Sequence, residues 1–165
     1  MLIYLAIYAA MTIGSFVALL MLNDEEGRPL TTFADISGLA RRQPALAFCI
    51  LILMFSLAGI PPLFGFWAKL VVFQAAVEAG MVALAAIAIA ASVIGAFYYL
   101  KFVKVMYFDA PDLHEGSSQR LAGNPAGHWS TLVAATVLVS PAGFLVSPWL
   151  QQWADTAASS LAILA

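Results

Sequence analysis

The sequence predicts an all-α protein, namely a polytopic bundle of transmembrane helices. Of its 165 residues, 63% are hydrophobic and only 10% are charged, whereas about a quarter of the residues in a soluble domain are charged. The mean hydropathy is +0.94. The apolar residues form long runs between polar loops, and each run is close to or longer than the roughly 20 residues that cross a bilayer. We therefore expect a single membrane domain, 1–165, with four spans, the second of which is a discontinuous helix.

The composition also excludes several classes of function. With seven lysine and arginine residues, no part of the sequence is basic enough to suggest nucleic acid as a partner. The single cysteine, Cys49, cannot form an internal disulfide, and the sequence has no cysteine cluster and no glycine-rich phosphate loop. We therefore expect no metal and no cofactor in this chain, and no redox site. Any activity is then the movement of an ion, or belongs to partner proteins.

The first span is predicted at about 1–22. No lysine or arginine precedes it and no clear cleavage site follows it, so it is a spanning helix rather than a signal peptide. Because the sequence starts directly in a membrane segment, we expect the chain to be a portion of a longer protein. The polar loop that follows, 23–44, has room for one short amphipathic helix between Leu30 and Leu39.

The second span, 45–79, is too long for one straight crossing and contains a double proline. Each proline removes a backbone donor and its ring clashes with the preceding turn. We expect a first half that ends near residue 59, an irregular link near 61–65, and a second half that ends near residue 78. Two flanking glycines allow the unusual dihedral angles of such a link. The residues expected to form the break are Gly59, Pro61, Pro62 and Gly65.

Lys69 is the principal candidate for function, because it lies inside this apolar run a few residues after the prolines. A lysine there costs about 2.5–3.5 kcal/mol on the insertion scale, and ionisable residues inside membranes usually serve function. The competing interpretation is a structural lysine that binds carbonyl groups at the break. Two further candidates for a proton pathway are Glu78, which could instead be interfacial, and Lys101, which could instead extend toward lipid headgroups.

The third span is predicted at about 81–107, with an alanine-rich first half that permits close helix packing and an aromatic second half that suits an interface. The fourth is predicted at 129–146, with a kink at Pro141. The tail, 149–165, has apolar residues on one side and is predicted to be an interfacial helix.

The basic residues indicate the orientation. Apart from Lys69, all of them lie in the loops 23–44 and 108–128 or at the end of the third span beside them. The positive-inside rule makes both loops cytoplasmic and both termini periplasmic.

Residues 55–69 (FSLAGIPPLFGFWAK) resemble the broken-helix motif of the antiporter-like subunits of respiratory complex I. The segments 36–44 (ISGLARRQP) and 96–108 are also similar to that family, and the resemblance covers nearly the whole chain. It implies a membrane-arm subunit of a proton-translocating NADH:quinone oxidoreductase in the bacterial inner membrane, with sister antiporter-like subunits as partners. NADH, flavin, iron–sulfur clusters and quinone would then belong to partner subunits. The family's other half-channel lies upstream of anything that matches here, which implies the C-terminal portion of a longer subunit.

Two alternatives remain open. The related multisubunit cation/proton antiporters share the motif, and sodium-dependent transport without quinone chemistry would distinguish them. A non-transporting membrane scaffold is the other alternative, and it predicts surroundings without water for Lys69.

Overall fold

The computed structural model describes residues 2–23, 30, 32–110 and 126–145, and in residues 2, 3, 144 and 145 the backbone alone. All elements in this part of the chain are helices, so the all-α prediction is confirmed. They are α1 (Leu2–Leu20), α2 (Phe33–Ile36), α3 (Leu39–Arg42), α4 (Pro44–Ala58), α5 (Phe64–Glu78), α6 (Val82–Phe108), α7 (Ala126–Val139) and a 3-10 helix (Pro141–Leu145).

Helix α4 lies at the centre of the bundle and contacts α1, α3, α5, α6 and α7. Its sequence is apolar on every side, as expected of a helix surrounded by other helices. The packing is closest at Gly14 of α1, where an added Cβ atom would lie 2.7 Å from Cβ of Ala135 and 3.2 Å from a methyl group of Leu53. Glycine at this position therefore lets α1, α4 and α7 meet. The buried residues of α4 are Leu46, Ala47, Cys49, Ile50, Leu53, Met54 and Ser56.

The lengths of the helices do not by themselves establish the number of spans. Among the described residues, α6 is the one helix that is long and apolar enough to cross a membrane alone. A second crossing is counted if Phe33–Arg42 and Pro44–Ala58, which are bent by 117° at residue 43, are taken together. Helices α1 and α7 are apolar but shorter. The count of four spans thus stays a prediction.

The loop before α4 differs from the expectation of one helix, because it contains two short ones, α2 and α3. Thr32 caps α2: its side-chain oxygen accepts a hydrogen bond from the Asp35 amide at 3.3 Å, and its own amide donates to the Asp35 carboxylate at 2.9 Å. Gly38, with φ of 66°, separates α2 from α3. The Arg42 guanidinium then donates to the carbonyls of Asp35 and Ser37 at 2.7 and 2.9 Å, which fixes the turn between the two helices.

The fourth predicted span, 129–146, also differs in its bounds. Helix α7 begins three residues earlier, at Ala126, and ends at Val139, after which the chain continues as the 3-10 helix. The physical reason is Pro141, which cannot donate to the carbonyl of Val137; the Ser140 hydroxyl donates to that carbonyl instead, at 2.8 Å. The predicted tail 149–165 and residues 111–125 of the second loop lie outside the described residues.

Candidate functional site: the helix break and Lys69

The end of α4 is set by Gly59, which has a φ of +83°. In this left-handed conformation, the Gly59 amide donates to the carbonyl of Ser56 and the Ile60 amide donates to that of Phe55, both at 3.0 Å. This pair of bonds is a Schellman motif, a common helix ending that favours glycine at this position. The link between α4 and α5 therefore comprises residues 59–63, two residues earlier than the predicted 61–65. That α4 and α5, called half-helices below, form one interrupted span stays a prediction.

The prolines free a carbonyl group, and Lys69 binds it. In a continuous helix, the carbonyl of Leu57 would accept a hydrogen bond from the amide four residues later, but Pro61 has no N–H. The Lys69 Nζ atom, one turn into α5, donates to this oxygen at 2.8 Å. Pro61 and Pro62 are themselves exposed. The double proline thus provides the acceptor that holds the lysine side chain beside the break.

Gly65 lies within α5 rather than in the link, and its φ angle is not positive. What it allows is close contact between the two half-helices. Its amide donates to Oγ of Ser56 at 3.1 Å. An added Cβ atom would overlap the Ser56 carbonyl oxygen and would lie 2.8 Å from Oγ. The expectation that Gly65 provides unusual dihedral angles is therefore replaced by a steric role.

A cavity of about 350 Å³ lies beside Lys69, between the end of α4, α5 and α6. Lys69 and Ser92 are the polar side chains in its wall. None of the residues in its wall is buried, so the cavity is open at the surface of the described part of the chain. Within the part of the chain that the structure describes, no carboxylate forms an ion pair with Lys69. The lining residues are Ala58, Gly59, Phe66, Lys69, Leu70, Phe73, Ile89, Ser92, Val93 and Ala96.

The two weaker candidates are not brought to this cavity. Glu78 is the last residue of α5 and is exposed. Lys101 is also exposed, and its Nζ atom lies 5.4 Å from the ring centroid of Phe33, a cation–π distance. Neither residue lines the cavity, so a role for either in a proton pathway stays a prediction.

Sequence reasoning missed Ser56. This residue is fully buried and carries the one hydroxyl group of α4. A lone hydroxyl in an otherwise apolar segment, three residues before a helix-ending glycine, is a signal that could have identified it.

The described chain is apolar and helical, and Lys69 lies where α4 and α5 meet. The family described as "NADH:quinone oxidoreductase/Mrp antiporter, TM" matches residues 1–95, which include the break and Lys69. The chain belongs to this family, and it is therefore an integral membrane protein.

Individual relatives are similar over most of the chain. It is 63% identical over 164 residues to NADH-quinone oxidoreductase subunit N of Erythrobacter litoralis, which covers 99% of this chain and 32% of the relative. The subunit N of Rhizorhabdus wittichii is 49% identical over 160 residues, which cover 96% of this chain and 32% of the relative. A chain in the structure of respiratory complex I from Thermus thermophilus with bound aureothin matches with a TM-score of 0.68 and 30% identity, over 83% of this chain and 30% of that one. The chain spans about a third of the length of these curated relatives.

Proposed function

We propose that the chain is part of an antiporter-like membrane subunit of a proton-translocating NADH:quinone oxidoreductase, in which Lys69 carries a proton. The names of the relatives support the class of complex. The observation that carries the role of Lys69 is its position: the amine is bound to a carbonyl group at a helix break, at the wall of a cavity. The bond to the carbonyl of Leu57 is expected equally of a structural lysine, so the part of this observation that favours the functional interpretation is the cavity.

The chemistry of an amine suits this position. A charged ammonium group has three N–H donors, and the neutral amine keeps two of them together with a lone pair. One donor suffices for the 2.8 Å bond to the carbonyl of Leu57. The nitrogen can therefore gain or lose a proton while the bond to Leu57 continues to hold it. A change in the surroundings of Lys69, transmitted from elsewhere in the complex, would then determine whether it holds the proton.

In this proposal the chain crosses the membrane four times, with α4 and α5 together as one interrupted span. The contact between the loop before α4 and the end of α6 supports the orientation. Phe33 packs against Phe102 with ring centroids 6.1 Å apart, and Lys101 lies over the same Phe33 ring. The basic residues at these two ends therefore lie near each other. We place this end on the cytoplasmic side of a bacterial inner membrane, and the termini on the periplasmic side.

The redox reaction belongs, in this proposal, to other subunits. NADH, flavin, iron–sulfur clusters and quinone would bind there, while this chain and its sister antiporter-like subunits form the membrane arm. A single buried cysteine, Cys49, offers no cluster ligands. The contribution of this chain is thus to proton movement and not to electron transfer.

The test is to replace Lys69 in the full-length subunit of the intact complex by Lys69→Ala and by Lys69→Arg. NADH oxidation and proton uptake are measured separately in inverted membrane vesicles. We expect fewer protons per NADH in both variants, because alanine cannot hold a proton and arginine does not release one. Lys104→Ala, which removes an exposed lysine that pairs with Asp109 near the end of α6, is the matched control and should leave the ratio unchanged. A wild-type ratio in both Lys69 variants would refute the proposal, and a ratio that depends on sodium would favour a cation/proton antiporter.

A further inference from the structure

We infer that Ser56 is a positioning residue for Lys69, because its hydroxyl group holds the two half-helices together. This inference rests on the proposed function, in which Lys69 is the proton carrier. It concerns a residue that does not touch the cavity beside Lys69 and that acts through the backbone of α5.

The hydrogen bonds of Ser56 differ from those of other buried hydroxyl groups in the bundle. Ser15 and Thr136 each donate to the carbonyl four residues earlier in their own helix, at 2.8 Å. The hydroxyl of Ser56 instead donates to Sδ of Met11 in α1 and accepts from the amide of Gly65 in α5, both at 3.1 Å. Ser56 is 0% exposed and Met11 is 1% exposed. The hydroxyl therefore links three helices inside the core.

The bond to Ser56 satisfies the amide of Gly65, which lies in the first turn of α5 and has no acceptor within that helix. The first amides of a helix have no partner within it, and Leu63, which precedes α5, provides no side-chain cap. The Ser56 hydroxyl takes the place of that cap from the neighbouring half-helix. An unsatisfied buried amide is costly, so the bond favours one position of the first turn of α5.

Two consecutive residues of α4 thus bind two residues of α5 that are one turn apart. The side chain of Ser56 binds the amide of Gly65, and the carbonyl of Leu57 binds the amine of Lys69. Residues four apart lie on the same face of a helix. Because a helical turn is stiff, fixing Gly65 also fixes the start of the Lys69 side chain within reach of Leu57. Loss of the Ser56 hydroxyl would remove one of these two hydrogen bonds and hold the first turn of α5 less firmly.

The experiment uses the full-length subunit in the intact complex, in inverted membrane vesicles, with Ser56→Ala and Ser56→Thr. Ser15→Ala is the matched control, since it also removes a buried hydroxyl but one that is bonded within its own helix. We expect Ser56→Ala to lower the number of protons per NADH toward the value of Lys69→Ala. Ser56→Thr, which keeps the hydroxyl, should restore at least part of the ratio, and Ser15→Ala should leave it unchanged.

Measuring Ser56→Ala also in the Lys69→Ala variant separates a positioning role from a general structural role. If Ser56 acts through Lys69, Ser56→Ala should not lower the ratio further when Lys69 is already alanine. Hydrogen exchange in the assembled complex provides a readout that does not depend on pumping. The Gly65 amide should exchange about fivefold faster or more in Ser56→Ala, because its buried partner is gone.

The outcomes distinguish the two proposals. A wild-type ratio in Lys69→Ala overturns the proposed function and the positioning role together. A lowered ratio in Lys69→Ala with a wild-type ratio in Ser56→Ala overturns the positioning role alone. The positioning role is also overturned if Ser56→Ala lowers the ratio equally with and without Lys69, or if the Gly65 amide exchanges at the wild-type rate in Ser56→Ala. If Ser56→Ala does not assemble, Ser56→Cys is measured in its place, because a thiol is a weaker acceptor. A wild-type ratio in Ser56→Cys then overturns the inference.

Discussion

Gly65→Ala tests whether the two half-helices are held as closely as the structure shows. The substitution adds one methyl group in the first turn of α5. That group would overlap the carbonyl oxygen of Ser56 and lie 2.8 Å from its Oγ. No side-chain rotation relieves the overlap, because the opposing carbonyl is backbone and the new Cβ is fixed. The half-helices must therefore move apart, and the 3.1 Å bond between Ser56 and the amide of residue 65 must lengthen.

The magnitude follows from three contributions. Inserting a methyl group into a packed core costs about 1–3 kcal/mol. Weakening a buried hydrogen bond costs about 0.5–1.5 kcal/mol more. Alanine favours the helix over glycine by about 0.8–1.0 kcal/mol, which partly offsets these costs. We expect a net destabilisation of about 0.5–3.7 kcal/mol at the break, and each 1.4 kcal/mol is about tenfold in a local opening equilibrium.

Hydrogen exchange of the assembled complex measures this opening. Amides in the first turn of α5 should exchange about tenfold faster in Gly65→Ala than in the wild type. Gly95→Ala in α6 is the control, since its added Cβ atom would meet only an atom of Tyr99, at the ordinary contact distance of 3.7 Å. That variant should exchange at or below the wild-type rate. If Gly65→Ala and Gly95→Ala behave alike, the close contact at Gly65 is refuted.

Two further substitutions test the ends of helices. Gly59→Ala and Gly80→Ala both place alanine at a positive φ, +83° and +76°, but an added Cβ atom would lie 3.4 Å from Lys69 only at Gly59. Both substitutions should cost about 1–2 kcal/mol of local stability, measured by hydrogen exchange. Only Gly59→Ala should also lower the number of protons per NADH. An equal effect of both substitutions on pumping would contradict the contact with Lys69. Thr32→Ala removes the cap of α2 and should lower its local stability by about 0.5–2 kcal/mol. The loss should appear as faster hydrogen exchange of the Asp35 amide. An unchanged exchange rate would show that the cap does not stabilise α2.

The sequence predicts those parts of the fold that depend on local chemistry. Apolar runs and few charges predict an all-α membrane protein, because these features do not depend on how the helices are arranged. A double proline interrupts any helix, and a lysine in an apolar segment stands out against its neighbours. The expectation of an interruption close to Lys69 required no knowledge of tertiary structure.

The features that sequence reasoning missed depend on how the chain turns at the break. The sequence marks Ser56 as the lone hydroxyl of its segment but does not give its partner: Ser56 binds across the break, whereas Ser15 binds within its own helix. The role of Gly65 likewise depends on the distance to a residue nine positions earlier. Glycine is compatible with both an unusual dihedral angle and a close contact, and only the packing of α4 against α5 decides between them.

The most direct test of the account is to observe the protonation of Lys69 during turnover. Infrared difference spectra of the intact complex, recorded as NADH is oxidised, would be compared between the wild type and Lys69→Arg, with lysine labelled by a nitrogen isotope. We predict an isotope-sensitive ammonium band that changes with turnover in the wild type and is lost in Lys69→Arg. An identical lysine signal in both proteins, together with normal pumping in the variant, would contradict the claim that Lys69 holds and releases the proton.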